Sequence, residues 1–341
     1  MAIMHKKQLV NIVFIAAFIL VLFLIPVFMK NPYWLQVLIL TMINVLLAVS
    51  LHALIATGQV SIGTAGFMLL GAYTSALLSI KLGLSVWLTI PLGALTAALV
   101  ALIVGYPFLR AKGIYFAILT VMLAEVCRSI AWYWVDMTNG SAGLRGIPAP
   151  SPINLFGLTT LSFDTKLSYY YLALVIIIIS LVILYRVRKS WLGLMWSAIN
   201  EADNLAQAVG INIMGHKILI FVISSFFMGL AGSIYAHYMR SLAPFGYPGS
   251  PFSFTASVYT MIYVVLGGES SFLGPILGAI LLTILPEMAR GIKEYLPIVF
   301  GGILVLVVFF LPRGLVGLGS PLSYLYRKVV QSFTKNQQAQ D

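Results

Sequence analysis

Charge and cysteine are both scarce in this chain of 341 residues. Only 9% of the residues are Asp, Glu, Lys or Arg, whereas an ordinary soluble domain carries about 25%. The hydrophobic share is 61% and the mean hydropathy is +1.02. That balance excludes water as the solvent of most of the chain. Cys127 is the single cysteine and lies in an apolar stretch, which excludes an intrachain disulfide and a thiolate metal cluster. Histidine is also sparse, at four residues. His52 and His237 stand in apolar runs with no H-E-x-x-H or other close ligand set, so they read as hydrogen-bonded packing residues. Neither is assigned to a catalytic or metal site. No Gly-Lys dipeptide occurs, so the phosphate-wrapping loop G-x-x-x-x-G-K-[ST] is missing from the chain.

Long apolar runs take the place of these groups. A helix needs about 20 apolar residues to cross a bilayer. Breaking the chain at charges, prolines and glycines gives runs at 9–29, 33–57, 60–80, 84–106 and 113–135, then 169–185, 217–239, 254–268, 271–289 and 296–312. The reading is an all-α polytopic membrane protein of about ten transmembrane or partly re-entrant helices, one domain over 1–320, with a solvated tail at 321–341. Run 9–29 is too long for a signal h-region and lacks a small-x-small cleavage site, so it is read as an uncleaved span. Run 254–268 is short and run 60–80 is preceded or opened by Gly58, Gly63 and Gly66, which predicts broken or re-entrant helices there. The set 33–135 starts outside and the set 217–312 starts inside, the pattern of an inverted repeat.

The net charge of +11 is scattered over the ends of apolar runs and forms no basic face for nucleic acid. With the amino terminus inside, Lys6, Lys7, Arg110, Lys112, Arg186, Arg188, Lys189, Lys217, Arg313, Arg327, Lys328 and Lys335 fall inside. Only Lys30, Lys81, Arg145, Lys166, Arg240, Arg290 and Lys293 fall outside, in keeping with the positive-inside rule. Both termini are then inside. Two connections are long. The outer one, 136–168, is rich in Gly, Pro, Ser and Thr. The inner one, 191–216, places Leu194, Ala198, Leu205, Ala208 and Val209 at helical spacing, with Gly210 as a C-terminal stop.

Polar groups inside apolar runs are the candidates for function. Gln59, Ser61, Gly63 and Thr64 begin one run, and Gly267 and Gly268 end another. A broken helix exposes N–H and C=O groups that can hold the charged ends of a zwitterion, so these residues are placed beside a translocation path. Their glycines also serve close helix packing, as in Gly274-x-x-x-Gly278. Glu125 and Arg128, three apart, share a helix face inside a span, as a structural ion pair or as a gate.

An ordered set of motifs resembles the branched-chain amino acid ABC permease family. It begins with Gly58-Gln59-Val60-Ser61-Ile62-Gly63-Thr64-Ala65-Gly66-Phe67, followed by Gly71-Ala72-Tyr73. Arg110-Ala111-Lys112-Gly113-Ile114-Tyr115-Phe116, Glu125 and Thr138-Asn139-Gly140-Ser141-Ala142-Gly143-Leu144-Arg145-Gly146 come next and look like the LivM-type member of the permease pair. Asn200-Glu201 through Ala206-Gln207-Ala208-Val209-Gly210, Gly229-Leu230-Ala231-Gly232, Gly267-Gly268 and Pro312-Arg313-Gly314 complete it. Thr64 departs from the His or Gln that the family often carries.

The resemblance implies a transport subunit of the bacterial inner membrane that is not itself an enzyme. It would pair with a sister permease, depend on two separate ATP-binding subunits and receive substrate from a binding protein. The chain would hold no cofactor, the ATP being bound by the partners. The ATPases would dock at 191–216, where Asn200, Glu201, Ala202, Ala206, Ala208 and Gly210 are the expected coupling residues. Leucine-like amino acids are the implied substrates, with urea, short amides and aromatic acids as alternatives. A different class, an autonomous ion-coupled carrier using Glu125 and Arg128 as a relay, would need no ATPase loop. An intramembrane enzyme lacks a visible nucleophile and base pair.

Overall fold

Local side-chain chemistry sets the start of several helices. The computed structural model describes residues 23–26, 31–111, 113–155, 159–161, 163, 165–245, 250–288, 301–302 and 314–318. The expected spans 9–29 and 296–312 lie largely outside the described residues, and the tail 321–341 wholly so. Asn31 accepts from the Tyr33 N–H at 3.0 Å and Pro32 takes the first position of α1, Pro32–Ile55. Thr165 caps α5, Lys166–Lys189, through the Ser168 N–H, and Asn212 caps α8, Ile213–Met239, through the Gly215 N–H. Between these run α2 (Thr64–Lys81), α3 (Val86–Leu109), α4 (Ile114–Tyr133), α6 (Trp191–Glu201) and α7 (Asp203–Ala208). After α8 come α9, Phe254–Gly267, and α10, Leu273–Met288.

Five helices among the described residues are long and apolar enough to cross a membrane: α1, α3, α4, α5 and α8. α2 has 18 residues because its first turn is delayed to Thr64, after a non-helical stretch over 59–63. α9 and α10, of 14 and 16 residues, are apolar but shorter than a full crossing of about 20. Breaks therefore occur at both places where glycine and short length predicted them.

The helices are held by close approach. α8 lies against α2 and α3, with α1 alongside, and α1 is flanked by α5, α9 and α10. A Cβ on Gly71 would stand 2.0 Å from the Gly229 carbonyl oxygen, and one on Gly232 would stand 1.9 Å from that of Met68. Backbone thus packs on backbone, as expected where lipid offers no hydrophobic drive to association. Ser233 Oγ donates to the Gly71 carbonyl at 3.1 Å across the same contact. α4, which packs mainly on α2, is the least buried of the five long helices.

Connections sort to two ends of the bundle. At one end lie 56–63, α6, α7 and the α9–α10 turn, joined by the contacts of Gly58 with Asn200 and of His52 with Arg188 and Glu269. At the other, Lys81 Nζ donates to the Asp136 carbonyl at 2.8 Å, Trp87 Nε1 to that of Ser151 at 3.1 Å, and Lys166 Nζ to Gln36 Oε1 at 3.1 Å. The long connection at this second end departs from an all-α reading. It contains β1, Leu144–Arg145, paired antiparallel with β4, Ser241–Leu242, and a second pair, β2 (Ile153–Leu155) with β3 (Thr159–Leu161). These strands are too short to carry an alternating pattern, and Gly and Pro around them read as loop.

A contrast of two glycines tests the packing. Gly71→Ala should destabilise the detergent-solubilised protein by about 1–3 kcal/mol, because its methyl would overlap backbone. Gly105→Ala meets Phe221 Cδ1 at 3.5 Å and Ile218 Cγ1 and Cγ2 at 3.8 Å, ordinary contact distances, and should be neutral or slightly stabilising. Thermal unfolding followed by fluorescence size-exclusion chromatography measures both.

Candidate functional site

α6 and α7 form a two-faced platform at one end of the bundle. Trp196, Ile199 and Ala206 turn inward and are buried, and the platform is tied to α8 by an ion pair, Lys217 Nζ to Asp203 Oδ2 at 3.0 Å. The opposite face is apolar and open: Trp191, Leu194, Leu205 and Val209 are 72%, 65%, 71% and 77% exposed. The helical spacing read from Leu194, Ala198, Leu205, Ala208 and Val209 thus belongs to the outer face. Asn200, Glu201 and Ala208 are exposed on the platform, Ala202 is half-buried, and Ala206 forms part of its seat. Gly210, at φ +87, closes α7: its own N–H donates to the Gln207 carbonyl and the Ile211 N–H to that of Ala206.

The second group lies where α1 gives way to α2. Gly58 takes φ +73, which ends α1, and Gln59, Ser61 and Thr64 follow as buried residues. This stretch must satisfy its N–H groups without a helix ladder. Ile62 N–H donates to Thr120 Oγ1 of α4 at 3.2 Å, Gly63 N–H to Ser61 Oγ at 3.2 Å, and Ala65 N–H to Ser257 Oγ of α9 at 3.0 Å. A Cβ on Gly63 would stand 2.3 Å from the Thr120 carbonyl oxygen, so this close seating requires glycine. Gln59 Oε1 is buried with no hydrogen-bond partner among the described residues. An unpaired amide oxygen costs free energy and is suited to accept from an ammonium or hydroxyl group.

Glu125 and Arg128 are brought together. Arg128 Nε donates to Glu125 Oε2 at 2.9 Å, its terminal Nη2 reaches the same oxygen, and the guanidinium lies 4.1 Å from the centre of the Phe245 ring. The side chains are 18% and 34% exposed, Arg128 the less. Glu125 borders a groove of about 360 Å³ on the outer face of α4, with Met122, Val126, Ser129, Ile130 and Tyr133. The pair lies on α4, and among the described residues no hydrogen bond joins it to the Gln59–Thr64 stretch.

Gly267 and Gly268 belong to the turn between α9 and α10, where Gly268 has φ +103. Gly314 packs on them, its hypothetical Cβ only 2.5 Å from Gly268 Cα. They are close to His52, whose Nε2 lies 2.8 Å from the Glu269 carbonyl oxygen. Both histidines have partners: His237 bridges the Pro148 carbonyl through Nδ1 and Ser75 Oγ through Nε2. Sequence reasoning missed the contact of Arg188 with His52. Its one signal was a basic cluster, Arg186, Arg188 and Lys189, immediately before Ser190-Trp191, which reads as a topology marker.

The sequence profile of the family described as branched-chain amino acid transport system / permease component matches residues 33–310. The chain is 31% identical over 312 residues to the high-affinity branched-chain amino acid transport system permease protein LivM of Escherichia coli (strain K12), covering 86% of this chain and 72% of that one. It is 31% identical over 300 residues to LivM of Salmonella typhimurium, covering 83% and 69%. The guanosine ABC transporter permease protein NupQ of Bacillus subtilis (strain 168) is 26% identical over 188 residues, 53% of this chain and 59% of that one. No solved structure matches the chain.

A double-mutant cycle separates pairing from loss of either charge. Glu125→Gln and Arg128→Gln should each lower thermal stability, and the double variant should lose less than the sum, with a coupling of about 0.5–3 kcal/mol. Unfolding of the four purified proteins in detergent supplies the measurement.

Proposed function

The chain belongs to the branched-chain amino acid transport permease family, and on that premise we propose that it is the membrane-spanning subunit of an ATP-driven importer for branched-chain or related amino acids. The observation that carries the coupling half of this reading is the exposed apolar face of α6 and α7. Four large apolar side chains left open at a helical platform mark a surface that another protein covers. The chain has no phosphate-binding loop, so the energy enters from separate subunits. In this reading two ATPases seat on the α6–α7 platforms of a permease pair, and the chain itself catalyses nothing and carries no cofactor.

The second permease lies against α4. Ile118, Met122, Val126 and Ile130 are exposed along its outer face, and a charged pair beside them is costly against lipid. A pore between two permeases would supply that pair with protein and water. A binding protein delivers substrate at the end that carries β1 and β4. Counting runs 9–29 and 296–312, the chain has about ten spans, with both termini in the cytoplasm of a bacterial inner membrane. An inverted repeat is supported by the two helix–glycine–helix breaks, at Gly58 and Gly268.

Replacing two exposed residues tests the reading directly. Leu194→Asp with Leu205→Asp should leave the chain folded, because both side chains face outward, yet abolish co-purification of the ATPase subunits and substrate uptake. Uptake by the purified chain alone, driven by an ion gradient, would overturn the proposal in favour of a secondary carrier.

A further inference from the structure

One imidazole joins three elements at the α6 end of the bundle. His52, in the last turn of α1, is 3% exposed. Its Nε2 lies 2.8 Å from the Glu269 carbonyl oxygen in the α9–α10 turn, and Nη1 of Arg188, at the end of α5, lies 3.1 Å from Nδ1 and 3.0 Å from Nε2. A carbonyl oxygen only accepts, so Nε2 carries the ring proton, while Arg188 Nη1, nearly equidistant from the two nitrogens, packs on the ring as a whole. The ring therefore sits between a cation and a main-chain carbonyl and touches both.

Arg188 is fixed to the platform. It precedes Ser190, the residue before α6, by two positions, and a Cβ on Gly193 in the first turn of α6 would stand 1.8 Å from the Arg188 carbonyl oxygen. The end of α5 and the start of α6 must therefore move together. The far end of α6 meets the connection that follows α1, because a Cβ on Gly58 would come 2.8 Å from Asn200 Oδ1. The platform thus touches both helix breaks. It meets the Gly58 break through Asn200 and the Gly268 break through Arg188, His52 and Glu269.

We propose that Arg188 and His52 are the positioning residues through which a displacement of α6 moves the two helix breaks, and with them the buried Gln59–Thr64 stretch. Hydrogen bonds weaken steeply with distance and angle, and a buried ring nitrogen left without a partner is unfavourable. α6 cannot shift relative to α1 and the α9–α10 turn without carrying them or breaking the relay. The proposal rests on the reading that separate ATPases dock on α6 and α7.

The test uses the complete importer, with its ATPases, second permease and binding protein, reconstituted in vesicles. ATPase retention, ATP hydrolysis and amino-acid uptake are measured for the wild type and for Arg188→Gln, His52→Ala and His52→Gln. Arg188→Gln and His52→Ala should keep the ATPases bound and hydrolysing while uptake per ATP falls at least about fivefold, the lower range of a coupling between sites. His52→Gln, whose amide can both donate and accept, should recover a large part of that loss. Uptake per ATP within about twofold of wild type in Arg188→Gln and His52→Ala would overturn the relay while leaving docking intact. If Arg188→Gln is not recovered from the membrane, the two His52 variants decide: equal losses in both, matched by equal drops in thermal stability, would assign the cluster to folding and overturn the relay. ATPases that bind regardless of Leu194→Asp with Leu205→Asp would instead defeat the docking reading on which the relay depends.

Discussion

Where α2, α3 and α8 cross, backbone meets backbone with no space for a methyl group, and the rest of the bundle is arranged around that contact. Gly71 faces Gly229, Gly93 lies against Ser233 and Gly71, and Gly232 lies on Met68. In lipid such contact, with its dispersion and hydrogen bonds, replaces the hydrophobic drive that water would supply. Polar side chains reinforce it. Ser75, Thr89 and His237 form a buried cluster in which His237 Nε2 reaches both hydroxyls, at 2.8 and 3.3 Å. The helix breaks are fitted as closely, since a Cβ on Gly63 would stand 2.3 Å from the Thr120 carbonyl oxygen and one on Gly267 1.9 Å from that of Gly274.

The breaks show how a chain interrupts a helix in a membrane at tolerable cost. Leaving the helical ladder frees N–H groups that lipid cannot satisfy. Between α1 and α2 they are taken up by hydroxyls of Ser61, Thr120 and Ser257, three side chains from three parts of the chain. The stretch is thereby tied to α4 and α9, and neither helix can move far without altering its partners. Gln59 sits in the same stretch with an amide oxygen that has no partner among the described residues, the kind of group that a substrate or an ordered water satisfies.

Much of this was legible in the sequence, and the parts that were not share a cause. Apolar run length located α1, α3, α4, α5 and α8 to within a few residues, because a lipid solvent imposes composition over a whole span. Glycine and short length marked the interruptions before α2 and between α9 and α10. Three-residue spacing paired Glu125 with Arg128, a local contact. The loop helix and its stop at Gly210 were legible for the same reason. Which face of α6 and α7 turned outward was not, since an apolar stripe reads identically whether its own chain or a partner covers it. Contacts between distant residues also escaped: His52 with Arg188, Gly58 with Asn200, and the pairing of Leu144 with Leu242. No periodicity records a meeting of residues more than 90 positions apart.

α8 has 27 residues, so it is a rod of about 40 Å. Its two ends are tethered by unrelated means. Lys217 anchors one to Asp203 of the platform, while His237, through the Pro148 carbonyl, and β4, through β1, anchor the other to the long connection at the opposite end. Loops on the two faces of the membrane are thus fittings on one shaft. A chimera that exchanged only one of them with a relative would leave the shaft mismatched at that end.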